Sequence, residues 1–167
     1  MSDVSVSQTD RELIFDRTYR APRELVWMAF TEADRIRKWW GPKACPVSYC
    51  TLDFRIGGVW LYSLKCSEDA EHWAKAVYQE IEPLQKIVYA AYFVQGSNGE
   101  LLEGWPSLGL TTILFTEEAG STHVTARIQC KTAEGLTALT SMGMIPGFTE
   151  TLRNLEDFLD KLSGPGE

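Results

Sequence analysis

Acidic residues set among apolar neighbours are the first place to look for chemistry in this sequence. Glu80, Glu82 and Glu103 stand in such surroundings. A carboxylate facing an apolar cavity holds its proton to higher pH and can serve as a general acid or base. Nothing in the sequence aims any of the three inward, so it names no catalytic residue. Asp53-x-Arg55 stands beside the turn residues Gly57-Gly58. Residues two apart on a strand share a face, so this pair reads as an ion pair that pins a hairpin. His72 opens a strand-like stretch near Cys66, and His123 falls on a polar strand face. Cys45-x4-Cys50 lacks the spacing of a common zinc site, and no metal is expected. No Ser-His-Asp or Cys-His set is legible and no glycine-rich phosphate loop follows a strand, so no cofactor is expected either.

Aromatic residues carry a stronger signal than the titratable ones. Trp60, Tyr62, Trp73, Tyr78, Tyr89, Tyr92 and Phe93 lie on central strand-like stretches, and a concave sheet must turn some of them inward. Of these, Trp60, Tyr62, Tyr78 and Tyr92 are assigned to an apolar ligand pocket. Trp39 and Trp40 are adjacent on a short helix, where neighbours diverge by about 100°. One therefore packs into the core, and the other, Trp40, lies near the pocket entrance. Residues 96–108 form a long loop carrying Leu101, Leu102 and Trp105. Apolar side chains on such a loop suit either a pocket rim, with Trp105 in it, or a contact with a second subunit in a homodimer.

These residues need a scaffold, and the pattern supplies one. Leu13, Phe15 and Tyr19 alternate along a first strand. Two short helices follow: one after Pro22, carrying Leu25, Val26, Ala29 and Phe30, the other near Glu32–Trp39 with Thr31 as its cap. Six further strands are expected near 46–55, 58–66, 72–82, 86–95, 109–117 and 121–131, with Ile56-Gly57-Gly58 as a hairpin turn. Met144, Phe148, Leu152, Leu155, Leu159 and Leu162 then recur at helical spacing. A single helix is expected from about 133 to 162, capped by Thr132 and bent near 142–147, where Gly143, Pro146 and Gly147 interrupt it; a break into two helices, or close packing of the glycines against the strands, is the alternative. The side chains missing there would leave open volume over the sheet, walled by Met144 and Phe148. The layout is α+β, with a curved seven-stranded antiparallel sheet around a long C-terminal helix.

Residues 1–10 are polar and expected to be a disordered leader, 11–163 one domain, and 164–167 a tail. The chain's 167 residues suit a single domain able to hold a core without disulfides or metal. Sixteen Lys and Arg against 23 Asp and Glu give a net charge of −7, which opposes binding to phosphate backbones and makes nucleic acid an unfavoured partner. No stretch approaches the ~18 apolar residues that a membrane span needs, and no secretory signal is visible. A cytoplasmic protein is expected, with Cys45, Cys50, Cys66 and Cys130 all reduced.

The order of several short motifs resembles a known family. Arg20-Ala21-Pro22 through Val26 and Phe30, then Trp39-Trp40-Gly41-Pro42, look like the opening of the activator-of-Hsp90-ATPase-homologue-like family. Asp53-Phe54-Arg55-Ile56-Gly57-Gly58-Val59-Trp60 is similar to its second signature. Glu80-Ile81-Glu82-Pro83, Gly143-Met144 and Gly147-Phe148 with Leu152 and Leu155 continue in register across about 11–162. The resemblance implies a helix-grip fold of the START-like (SRPBCC) superfamily, whose members often hold hydrophobic ligands between sheet and helix. It supports the fold more strongly than an activity. The leading expectation is the binding of a small hydrophobic or amphipathic molecule. A cyclase or hydratase using a buried carboxylate is the alternative. The family's name also raises a co-chaperone module, although such activators carry an additional N-terminal domain for which this chain has no room.

Overall fold

A computed structural model describes residues 3–162. In β2 (Glu12–Tyr19), Leu13, Phe15, Arg17 and Tyr19 are buried while the residues between them are partly exposed. The same period of two in β8 (Ser121–Gln129) buries Thr122, Val124, Ala126 and Ile128. The two strands pair antiparallel with Phe15 opposite Ala126, so their apolar faces coincide on one side of the sheet. The remaining strands are β1 (Ser5–Gln8), β3 (Val47–Leu52), β4 (Val59–Ser67), β5 (Ala70–Glu82), β6 (Lys86–Val94) and β7 (Ser107–Glu118). They form one antiparallel sheet in the order β1-β2-β8-β7-β6-β5-β4-β3. The chain passes from β2 to the far edge through α1 (Arg23–Thr31) and α2 (Ala33–Ile36).

The last helical segment covers the inner face. In α4 (Met144–Leu162), Phe148, Leu152, Leu155, Phe158 and Leu159 are buried. The Tyr19 hydroxyl donates to the Leu152 carbonyl at 2.8 Å, and Asn154 Nδ2 donates to the Gly41 carbonyl at 2.9 Å. Arg17, 4% exposed, pairs with Glu156 of α4 and lies 3.6 Å from Asp3. The helix is thus tied to the sheet by apolar packing along one stripe and by polar contacts at intervals.

The sheet has eight strands, not seven. The additional one, β1, lies in the stretch expected to be a disordered leader and pairs with β2, Val6 opposite Phe15. All four of its side chains are exposed, so no apolar alternation announces it; its pairing is a matter of backbone hydrogen bonds to an open edge. Thr31 belongs to α1, and α2 is shorter than the expected 32–39. The expected single bent helix is two helices, α3 (Ala133–Ser141) and α4. Met142 ends α3 and Gly143 takes φ +91°, a left-handed conformation that glycine reaches without the cost of a Cβ. Pro146 then falls in the first turn of α4, where no intrahelical acceptor awaits its missing N–H. Thr132 does cap α3, accepting the Gly135 N–H at 2.9 Å. The expected tail, 164–167, lies outside the described residues.

The four cysteines are not all reduced. Cys45 and Cys66 form a disulfide, while Cys50 and Cys130 are free. Cys45 precedes β3 and Cys66 lies near the end of β4, and the antiparallel pairing of these strands brings the two together. Four reduced thiols follow from a cytoplasmic location, and the disulfide counts against that expectation. None of the described helices is long and apolar enough to cross a membrane.

Candidate ligand cavity

Two small residues, Ala74 and Ala91, floor a hollow in the concave face. Tyr62 of β4 sits opposite Ala74 of β5, which sits opposite Phe93 of β6; one row along, Trp60, Ala76 and Ala91 are opposed in the same way. Ala74 lies between two large rings and Ala91 between Ala76 and Gly109, so neither side chain fills the space above it. α4 is equally sparse above it. A Cβ on Gly147 would meet only Pro42 Cγ, at 3.8 Å. The result is a cavity of about 350 Å³ between the sheet and the α3–α4 junction. Met142, Gly143, Met144, Gly147 and Phe148 line it from the helical side, and Trp40 with Pro42 from the α2–β3 loop.

The expected divergence of the paired tryptophans holds. Trp39 is 1% exposed, and its indole N–H donates to the Ala29 carbonyl at 3.0 Å. Trp40 turns toward the cavity, 5.7 Å from the Phe148 ring and 6.0 Å from that of Tyr62. Trp105, 41% exposed, lines the cavity and packs against Phe93 at 5.0 Å, with His72 6.3 Å away. Of the residues assigned to the pocket from sequence, Trp40, Tyr62, Trp105, Met144 and Phe148 border it.

Three others do not. Trp60, 2% exposed, lies behind the wall, stacked on Tyr62 at 4.6 Å and edge-on to Trp40 at 4.8 Å. Tyr78, also 2% exposed, packs in the core against Phe54 at 5.0 Å and Tyr89 at 6.1 Å. Tyr92 is on the opposite face of the sheet. It pairs with Lys75, whereas the inward residues of β6 are Tyr89, Ala91 and Phe93. Strand alternation separates Tyr92 from both aromatic neighbours that do reach the cavity.

Besides His72 and Thr151, two polar residues missing from the sequence assignment line the cavity, Tyr89 and Thr111. They oppose each other on β6 and β7. Counting back in twos from Phe93 would have found Tyr89. Thr111 emerges only from the strand pairing. Both phenols in the cavity are harder to ionise than ordinary tyrosines. Burial pushes Tyr62 up to about 12, partly opposed by a hydrogen bond from the Trp40 indole. Tyr89 is raised as well, again chiefly by burial, with its hydrogen bond to Thr111 acting the other way. No Asp, Glu, Lys or Arg lines the cavity among the described residues.

The candidate carboxylates lie elsewhere. Glu80 and Glu82 both bind Lys86 Nζ, at 2.9 and 3.2 Å, and are more than half exposed; Glu103 is exposed on the loop before β7. Asp53 and Arg55 form the expected ion pair at 2.8 Å, beside a turn in which Gly57 takes φ +83°. The structure also assembles a set the sequence did not reveal. His123 bonds Thr18 Oγ1 and Asp16 Oδ1, each at 2.9 Å. This Thr-His-Asp order resembles a nucleophilic triad, but it lies on the outward, partly exposed face of β2 and β8 and borders no part of the cavity.

The fold and much of the sequence have known counterparts. A protein from Arthrobacter aurescens, determined in solution, superposes with a TM-score of 0.86 at 20% identity, covering 96% of this chain and 93% of that one. Protein Ms6760 from Mycobacterium smegmatis gives 0.83 at 20% identity over 95% and 96% of the two chains. A Staphylococcus epidermidis protein gives 0.80 at 26% identity over 94% of each. No curated protein matches the sequence at a significant level. The family described as activator of Hsp90 ATPase homolog 1-like protein matches residues 20–160. With that match spanning most of the domain, and the open antiparallel sheet gripping α4, the chain belongs to the activator-of-Hsp90-ATPase-homologue-1-like family of START-like proteins.

Proposed function

We propose that the protein binds a small hydrophobic or amphipathic molecule between the sheet and α4. The supporting observation is the apolar cavity of about 350 Å³, within the usual range for small-molecule sites. Trp40, Tyr62, Met144 and Phe148 would contact the ligand, and Trp105 would shield it at the edge. Trp60 and Tyr78 would act from behind, by holding the rings that touch it.

The enzyme alternative loses its expected group, since Glu80, Glu82 and Glu103 all lie away from the cavity. A chaperone-contact role finds little support in the exposed large apolar residues. Val6 on β1, Ile56 in the β3–β4 turn and Leu114 on β7 sit on separate elements, and of the two that share one loop, Leu101 and Trp105, the latter lines the cavity. The homodimer expected from Leu101 and Trp105 remains part of this proposal, because both side chains are more than 40% exposed.

Native mass spectrometry of freshly purified protein, with titration by the neutral dye N-phenylnaphthylamine, tests the reading. Retained small molecules, or dye fluorescence that saturates at one equivalent, are expected. Mass peaks of bare protein together with no dye uptake would refute it. The mass spectrum also reports the oligomeric state.

A further inference from the structure

We propose that the ligand is an uncharged apolar molecule bearing a carbonyl oxygen, which accepts hydrogen bonds from the hydroxyls of Tyr62 and Tyr89. The proposal rests on the cavity being a ligand site, and it names the chemical class that the site selects. The absence of charged side chains from the described lining argues against an ion. A carboxylate or ammonium group would lose its hydration there, and the lining offers it no Asp, Glu, Lys or Arg, only His72, exposed beside Trp105.

The hydroxyls decide what polar group fits. Tyr62 oxygen accepts the Trp40 indole N–H. Its own proton is left without an acceptor among the described residues. Tyr89 and Thr111 hydrogen-bond to one another; whichever donates, the pair keeps one further O–H proton. Thr151 offers no competing donor, because its hydroxyl already bonds the Gly147 carbonyl at 3.0 Å. Ordinary neutral phenols donate well and accept weakly, and burial keeps these two protonated far above neutral pH. Buried donors lacking acceptors are costly, and a carbonyl satisfies them without importing charge.

Position is fixed before any ligand arrives. Both phenol rings rest on Trp60, Tyr62 stacked at 4.6 Å and Tyr89 edge-on at 5.9 Å. Such preorganisation lets a hydrogen bond contribute to affinity without first ordering the donor.

Competition against bound N-phenylnaphthylamine compares three molecules of one shape: acetylnaphthalene, ethylnaphthalene and naphthoate. Acetylnaphthalene should bind about tenfold more tightly than ethylnaphthalene, with naphthoate weakest at neutral pH. Tyr62→Phe and Tyr89→Phe, separately and together, should shrink the acetyl preference while dye uptake persists. Equal binding of the acetyl and ethyl compounds to the unmodified protein would overturn the inference, and so would tightest binding of naphthoate. So would an acetyl preference that survives in the double variant. If the dye itself does not bind the unmodified protein, the cavity reading fails and this inference falls with it. Dye uptake without discrimination overturns the inference alone.

Discussion

Gly147→Leu tests whether the space over the sheet is a cavity or a close-packed contact. A Cβ at this position would lie 3.8 Å from Pro42 Cγ and meet nothing closer, and Gly147 itself borders the cavity. The longer leucine side chain would extend into a volume of about 350 Å³. Replacing a helical glycine gains up to about 1 kcal/mol in propensity. Burying new apolar carbons adds about 0.8 kcal/mol per methylene equivalent. Rotamer restriction and imperfect fit offset part of this, so a net change of about 0 to +2 kcal/mol is expected. For a domain of this size, that corresponds to a rise in Tm of up to about 8 °C. The same substitution should weaken N-phenylnaphthylamine binding at least tenfold, because the leucine occupies space the dye needs. Thermal unfolding by circular dichroism and a dye titration on the same sample read both effects. A loss of more than about 1 kcal/mol would show that the helix packs closely there, and unchanged dye affinity would place the bound dye elsewhere. Gly41→Ala is the contrasting control. Gly41 has φ +88°, and its Cβ would fall 2.7 Å from Leu64 Cδ2 and 2.9 Å from the Cys45 carbonyl oxygen, so this variant should be destabilised.

Trp60→Ala should cost about 3–5 kcal/mol in urea unfolding, as expected for a large ring that is 2% exposed; a loss below about 1 kcal/mol would contradict its buried place behind Tyr62. Thiol titration of denatured, unreduced protein should find Cys50 and Cys130 alone, with Cys45 and Cys66 appearing only after reduction. Four thiols before reduction would argue against the disulfide. Tyr62 has a folded-state pKa raised from 10.0 to about 12, so its neutral form is favoured by folding. Its contribution to stability is complete below pH 10 and declines as pH rises from about 10 toward about 12. Tm measured against pH should fall across that window, less steeply in Tyr62→Phe; identical slopes would show that this phenol titrates as it does in the unfolded chain.

Local pattern carried the larger part of the fold. Period-two alternation in 13–19 and 121–131 marks strands because one face of each must be apolar, and the spacing of Phe148, Leu152, Leu155 and Leu159 marks a helix with one buried stripe. Thr132 was legible as a cap because its oxygen serves a backbone N–H three residues on. By contrast, β1 has four exposed side chains and no alternation to read, since backbone pairing to an edge leaves no mark in side-chain type. At Gly143 the sequence leaves a bend and a break both open: glycine and proline weaken a helix, but whether the chain bends or stops depends on what the following turn can pack against. The site divides in the same way. An aromatic-rich pocket under α4 follows from composition and periodicity, yet Tyr92 and Phe93 are adjacent in sequence and lie on opposite faces. Strand register decided that Tyr89 meets Thr111, that Trp60 stands behind Tyr62, and that Cys45 reaches Cys66. Amino-acid sequence determines which residues want burial or a particular backbone conformation; contacts between residues far apart in the chain exist only once pairing and packing have chosen a face for each of them.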